Sequence, residues 1–284
     1  MKYIVITGIN SGIGEAACES LLQKGYHVFG SVRDKKMADS LSSKLGANFT
    51  PLLFDITSES DIAKAVSLVK SKVGKEGLTA LVNNAGIAVT GALKDLPVSE
   101  FRKQIEVNLI GTFLVTKAFL PLLGADKNAA FQPGRIINIS SLSGIRTVPF
   151  LAAYSISKHG IEAFTDGLRR ELLLYGIDVI GILPGSVNTS LIGKLESGID
   201  EASKNSDYAP MLRKFKELNE ARVKSGVPLS KVINTINQAI ESPNPKPRYF
   251  LRASFLMDFL LPAIIPTRIF DKLIAKKLGI QKLK

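Results

Sequence analysis

Over the first 185 residues, short runs of consecutive apolar residues alternate with longer stretches in which apolar positions recur every three or four residues. The runs YIVIT (3–7), HVFGSV (27–32), NFTPLLF (48–54), LTALVNN (78–84), RIINIS (135–140) and DVIGIL (178–183) read as strands. They are near-continuously apolar, as expected of strands in a parallel sheet covered on both faces. Helical periodicity covers about 12–24, 59–73, 99–123 and 153–175. Repeated strand–helix–strand units predict an α/β fold: a doubly wound parallel sheet with right-handed crossovers.

Two regions break this rhythm. Residues 186–226 are polar and helical and follow a strand end directly, the place for a mobile cover over a ligand crevice. The segment YFLRASFLMDFLLPAIIP (249–266) is strongly apolar yet holds Arg252, Asp258 and two prolines. It is too interrupted for a spanning helix, which needs about 20 apolar residues. A single domain over 1–252, with a helical lid at about 186–226, and an apolar-basic extension over 253–284 are therefore expected.

Composition narrows the function classes. The chain has 284 residues, 45% of them hydrophobic, enough for one large α/β domain or two small ones with a substantial core. Cys18 is the single cysteine, which excludes an internal disulfide framework and fits a reducing compartment. A buried strand starting at the second residue leaves no room for a signal peptide, so a cytoplasmic location is expected. No His, Cys, Asp and Glu cluster has metal-ligand spacing. The formal charge of +12 asks for an anionic partner: a polyphosphate ligand, an acidic membrane or nucleic acid. No aromatic residues interleave with basic ones as a stacking platform would need, so nucleic acid is not expected. Part of the excess is local, with six basic residues against Asp271 alone between Thr267 and Lys284.

Two stretches carry chemistry. TGINSGIGEAA (7–17) joins the first strand to the first helix, where glycines permit close backbone approach and the helix N-terminus offers N–H groups to a pyrophosphate. In AAYSISKHG (152–160), Tyr154 and Lys158 are four residues apart and share a helix face. An ammonium beside a phenol lowers its pKa from about 10 toward neutrality, where it exchanges protons with a substrate. The plain alternative is an exposed aromatic–cation pair.

In order along the chain, TGINSGIG, NNAG (83–86), Asn108, SSLSG (140–144), YSISK (154–158) and PGSVNT (184–189) resemble the classical short-chain dehydrogenase/reductase family. The resemblance implies a Rossmann-type fold and an NAD(P)-dependent alcohol dehydrogenase or carbonyl reductase. It makes Tyr154 the acid/base, Lys158 its electrostatic partner and ribose ligand, and Ser141 a hydrogen-bond donor to the reacting oxygen. Asn108 would hold a water linking Lys158 to solvent, or else be a helix amide bonded to nearby backbone. Ser140 beside Ser141 reads as a strand-end hydroxyl tied to backbone. The resemblance gives the pyrophosphate to Gly8, Ile9, Asn10, Ser11, Gly12, Ile13 and Gly14. It gives adenine to Asp55 and Ile56, with a surface N-cap as the plain reading of Asp55. Asn83 would stabilise the sheet, while Asn84, Ala85 and Gly86 pack near the adenosine ribose. Pro184, Gly185, Val187 and Thr189 would touch the nicotinamide end.

The second strand ends GSVRDKK, with Val32 where an acidic residue would grip the 2′-hydroxyl of NAD. Arg33 suits a 2′-phosphate, so NADP is expected, while Asp34 keeps NAD open. Ser11 departs from the basic residue that some members carry there. SKHGIEAFTDGLRREL (157–172) is similar to the steroid and retinol dehydrogenase branch. Val148, Pro149, Phe150 and Leu151 would then line an apolar pocket for a lipophilic carbonyl or secondary alcohol. In this family the helices at 99–123 and 153–175 form the usual homodimer surface. For the C-terminal segment the expectation is pocket closure with weak peripheral membrane contact. The alternative to an enzyme is a non-catalytic NAD(P)-binding scaffold or redox sensor.

Overall fold

The computed structural model describes residues 1–204, 206–252 and 264–282. Among these, seven strands form one parallel sheet: β1 (Tyr3–Ile6), β2 (His27–Val32), β3 (Phe49–Leu53), β4 (Ala80–Asn83), β5 (Arg135–Ile139), β6 (Asp178–Pro184) and β7 (Arg248–Leu251). Their order is β3-β2-β1-β4-β5-β6-β7. Every predicted strand is present. Pro51 sits in β3 at the sheet edge, where the ladder hydrogen bond it cannot donate is not missed.

The period-two geometry of a strand explains the continuous apolar runs. In β1, Ile4 and Ile6 enter one core while Val5 enters the other, and all three are fully buried. The first core packs α1 (Gly12–Gln23), α2 (Lys35–Leu45) and α9 (Leu229–Glu241) on the sheet through Ala17, Leu21, Leu41, Val232 and Ile236. The second packs α3 (Glu59–Val73) and α5 (Thr112–Phe119) through Ile62, Val69, Val115 and Phe119. Helix α2 has no counterpart in the periodicity reading, because only Ala38 and Leu41 are buried on it. Its start is set instead by Asp34, which accepts from Lys36 N at 2.6 Å and Met37 N at 3.4 Å.

The single long helix expected at 99–123 is composite. It runs as α4 (Val98–Ile105), a π-helical turn (Glu106–Gly111), α5, and a 3₁₀ turn (Leu120–Leu123). It is the one segment among the described residues long and apolar enough to cross a bilayer. It lies against α3, β4 and α6 (Ala152–Glu171) as a layer of this fold. The lid region folds as α7 (Ser190–Ala202) and α8 (Ala209–Lys224). Most of the apolar segment at 249–266 lies outside the described residues. Beyond it, α10 (Thr267–Leu278) packs on α8, joining Ile274 and Leu278 to a third apolar cluster with Leu212, Phe215, Leu195 and Phe150.

Strand order reverses between β1 and β4, so the loops leaving their carboxyl ends diverge and open a crevice. A buried polar ladder crosses the sheet just behind it. Asn83 Nδ2 donates to Thr116 Oγ1 at 2.8 Å and to Asn138 Oδ1 at 2.9 Å, and Asn138 Nδ2 donates to Thr165 Oγ1 at 2.9 Å. The ladder joins α5, β4, β5 and α6 in dry surroundings, where unpaired polar groups are costly. Asn138→Ala should therefore destabilise the protein by about 2–4 kcal/mol in urea unfolding, since two buried partners lose a bond. A loss below about 0.5 kcal/mol, the range of an ordinary surface substitution, would remove the ladder from the account of stability.

Candidate active site

The loop between β1 and α1 is shaped by what cannot fit there. Gly8 and Gly12 have φ of 70° and 63°, the left-handed region that glycine tolerates. At Gly14 a Cβ would stand 2.2 Å from the Gly8 carbonyl oxygen and 2.5 Å from Asn84 Nδ2. That close approach brings the N-terminus of α1 down onto the strand end. Asn84 Nδ2 donates to the carbonyls of Thr7 and Gly8, both at 2.9 Å, and Thr7 Oγ1 accepts from Asn84 N at 2.9 Å and Ala85 N at 3.0 Å. The ends of β1 and β4 are thus locked together. Ser31 Oγ accepts from Gly8 N at 2.9 Å and fixes the loop from the β2 side.

Above this frame lies a cleft of about 1000 Å³. Of the residues expected to hold a dinucleotide, Gly8, Asn10, Ser11, Gly12, Ile13, Arg33, Asp55, Ile56, Asn84, Ala85, Gly86, Pro184, Gly185, Val187 and Thr189 line it, as do Ser141, Tyr154 and Lys158. Ile9, Gly14, Asn83 and Asn108 do not. Ile9 is fully buried in the first core, Gly14 is packed under the loop, and Asn83 belongs to the polar ladder. Those residues shape the wall from behind. Asp55 is not the helix cap: it accepts from Thr57 N at 2.9 Å and Thr57 Oγ1 at 2.7 Å, while Ser58 caps α3.

At the other end of the cleft, Tyr154 and Lys158 share the first turns of α6 as expected, with Lys158 Nζ 5.8 Å from the Tyr154 ring centre. The electrostatics differ from the expectation. Burial pushes the Tyr154 phenol above its ordinary value, and the nearby Ser141 hydroxyl pulls in the opposite direction. Lys158 is buried as well: its Nζ donates to the Ile139 carbonyl at 2.8 Å, and burial pulls the amine down to about 8. Glu162, one turn further along α6, works against that depression. Removing water from both groups costs more than their separation returns. Without a ligand, the pair therefore favours a protonated phenol.

Asn108 occupies the π-helical turn, a local widening that lets its side chain reach out of the helix. Its Oδ1 accepts from Ile87 N at 2.8 Å, and its Nδ2 donates to Ile87 O at 2.9 Å and Ser157 Oγ at 3.1 Å. The amide bonded to backbone describes what the side chain does here. Ser140 also departs from expectation: it is buried and its hydroxyl has no protein partner.

Several residues of this site were missed by the sequence reading. Gln104 is fully buried; its Oε1 accepts from Val89 N at 2.7 Å and its Nε2 donates to Ile87 O at 3.1 Å and Ser157 Oγ at 3.2 Å. With Asn108 and Ser157 it pins residues 87–89 against α6. Glu162 is buried and accepts from Arg248 Nε at 2.8 Å, tying α6 to β7. The available signal was helical spacing, since Gln104 precedes Asn108 by four residues and Glu162 follows Lys158 by four. Thr7 and Ser31 carry no such signal beyond adjacency to the glycine loop and strand end.

Residues 2–200 match the family model for short chain dehydrogenase. The chain belongs to the short-chain dehydrogenase family. A similar short-chain dehydrogenase relative is the NADPH-dependent 3-dehydrocapnine reductase of Ornithobacterium rhinotracheale, 41% identical over 98% of both chains. Another is retinol dehydrogenase 7 of Rattus norvegicus, 34% identical over 93% of this chain and 87% of the relative. The fold also matches a solved actinorhodin polyketide ketoreductase with NADPH, at a TM-score of 0.73 and 29% identity, covering 88% of this chain and 94% of that one. The steroid- and retinol-dehydrogenase-like branch expected from 157–172 agrees with these relatives.

The buried amine has a consequence for stability. Its folded pKa of about 8 lies below the unfolded value of 10.5, so the unfolded chain binds the extra proton between those pH values. Stability lost to the buried charge below pH 8 returns as pH rises toward 10.5. Relative to Lys158→Met, the wild type should gain up to about 3 kcal/mol in unfolding free energy across that window, at about 1.36 kcal/mol per pKa unit. A difference that stays flat with pH would mean that the amine does not titrate in this range.

Proposed function

We propose that this short-chain dehydrogenase is an NADP-dependent reductase of a ketone on a lipophilic molecule. The convergence of Ser141, Tyr154 and Lys158 on one end of a cleft whose other end is the glycine loop carries this reading. Its volume of about 1000 Å³ suits a dinucleotide and a substrate together. The 41%-identical relative, by its name, uses NADPH on a dehydro compound, which favours the same class of reaction here.

The cleft fits NADP in its polar details. The backbone at Gly8 and Asn10 to Ile13 would hold the pyrophosphate, and Arg33 the 2′-phosphate. Arg33 is 73% exposed beside Asp55, with the guanidinium 3.8 Å from the carboxylate. The residue that left NAD open, Asp34, spends its carboxylate on capping α2. When bound, the dinucleotide supplies the hydride. The protein's own part is the proton. Tyr154, kept protonated by burial, gives its phenolic hydrogen to the carbonyl oxygen, and Ser141 donates a hydrogen bond to that oxygen. Lys158 stabilises the phenolate left behind. Val148, Pro149 and Leu151 line the adjoining wall, and α10 closes it with Phe270 and Ile274. Pocket closure is thus the favoured role for the C-terminal helix. Exposed Ile269 and Leu273 beside Lys272 and Lys276 support weak contact with an acidic membrane, and exposed Ile110, Phe113 and Ile156 support a homodimer through α5 and α6.

A scaffold would bind NADPH without turnover. Tyr154→Phe should lower the rate of NADPH oxidation with a reducible ketone by about 10²–10⁴-fold, as for loss of a general acid, while NADPH still binds. Normal turnover in that variant would refute the assignment. Arg33→Ala should weaken NADPH binding by about 1.5–3 kcal/mol more than NADH, the range for a bond to a charged group. Equal loss for both dinucleotides, measured by fluorescence titration, would take the phosphate away from Arg33.

A further inference from the structure

Along one face of α6, at steps of four residues, stand Lys158, Glu162, Asp166 and Arg170. Arg248 of β7 fits between the two carboxylates: its Nε donates to Glu162 Oε2 at 2.8 Å, and its Nη2 lies 2.8 Å from Asp166 Oδ1. Cation and anion thus alternate from the active site toward the end of the helix. Lys158 and Glu162 are each 7% exposed. A carboxylate so buried takes up a proton unless a cation holds it ionised, and Arg248 is that cation. The other oxygen of Glu162, Oε1, has no hydrogen-bond partner among the described residues.

Two glycines bring this corner together. At Gly144 a Cβ would stand 2.8 Å from the Lys158 carbonyl, 3.0 Å from Ser140 Oγ and 3.1 Å from Glu162 Cγ. At Gly181 a Cβ would stand 3.7 Å from both Glu162 Oε1 and Arg248 Cγ. The missing side chain at 144 lets α6 seat Glu162 close to the end of β5, where the Ile139 carbonyl receives the Lys158 ammonium. Other charges on the surrounding elements stand further out. Glu100, Arg102, Lys103 and Glu106 of α4 and the π-helical turn are not buried, and His159 of α6 is exposed. Asp178 of β6 is exposed and pairs with Arg135, the 3₁₀ turns at 142–144 and 172–175 hold no charged residue, and Arg146 beyond the first of them lines the cleft.

We propose that Glu162 is a positioning residue for the reaction: held ionised by Arg248, it keeps a positive charge on Lys158 while Tyr154 gives up its proton. The proposal rests on the reductase reading for its effect on turnover, but not for its effect on the amine. A charged neighbour one turn away favours the ammonium, so Gln at 162 lets the amine lose its proton at lower pH. Reduction needs the proton on the Tyr154–Lys158 pair, so the high-pH limb of kcat moves in the same direction.

The test is a ¹³C NMR titration of the Lys158 Cε signal in the dinucleotide-free protein, assigned by its loss in Lys158→Met. The midpoint should fall by about one pH unit in Glu162→Gln, and the high-pH limb of kcat for NADPH-dependent ketone reduction should move with it. Arg248→Gln, which leaves the buried carboxylate to take up a proton, should reproduce the fall and carries the same test where Glu162→Gln does not fold. Arg248→Lys should restore the midpoint. Asp166→Asn breaks the same charge network one turn further from the amine; it should cost stability and leave the midpoint in place. An unchanged midpoint in Glu162→Gln overturns the proposal, and so does an equal fall in Asp166→Asn, which would make Glu162 one structural member of the network. Should no ketone be reduced while the midpoint still falls, the reductase reading fails and the control of the amine by Glu162 stands.

Discussion

The site depends on keeping an amine and a phenol out of water at the carboxyl end of a parallel sheet. Burial pushes both groups toward their neutral forms, the amine down to a pKa of about 8 and the phenol above its ordinary value. The fold makes this tolerable by giving the amine a strand carbonyl, Ile139 O at 2.8 Å, and a carboxylate one helical turn away. Glu162 is itself held by Arg248 from β7, the last strand of the sheet. The reactive pair is thus supported by an edge of the structure about ninety residues away in sequence.

A second layer of polar groups sets the geometry around that pair. Gln104, Asn108 and Ser157 fasten the segment after β4 to α6, and the π-helical turn is what aims Asn108 at it. Behind them Asn83 and Asn138 bridge the strands to α5 and α6. Such networks rigidify the groups they join, and here only Asn83 Oδ1 among the amide atoms of the ladder is left without a partner. That gives a physical reason for a rigid floor beneath a cleft whose cover is built of separate helices.

The cover differs in kind from the floor. Helices α7, α8 and α10 meet the rest of the protein through apolar side chains, with Phe150 in edge contact with Tyr208 and Phe215. Dispersion and burial are non-directional, and directional ties to this cover are few: Ser190 on Ser11, Thr90 on the Leu195 carbonyl, Ser206 on Asp95 and Asp207 on Lys94.

Much of this was legible in the linear order of residues. Continuous apolar runs identified the strands because a sheet buried on both faces needs both alternating sets of side chains to be apolar, and local spacing placed Tyr154 above Lys158 on one helix face. The glycines of the β1–α1 loop were readable for a similar reason, since only a residue without Cβ fits there. Tertiary structure decided what local patterns do not encode. It showed Asp34 as a helix cap rather than a free carboxylate, turned Ile9, Gly14 and Asn83 away from the cleft, and brought Gln104 and Glu162 into the site. In the ligand-free protein it also sets the Tyr154 phenol above its ordinary value, because an ionisation equilibrium depends on how much water is excluded around the group. That exclusion comes from chain segments distant in sequence, and no neighbouring residue reports it.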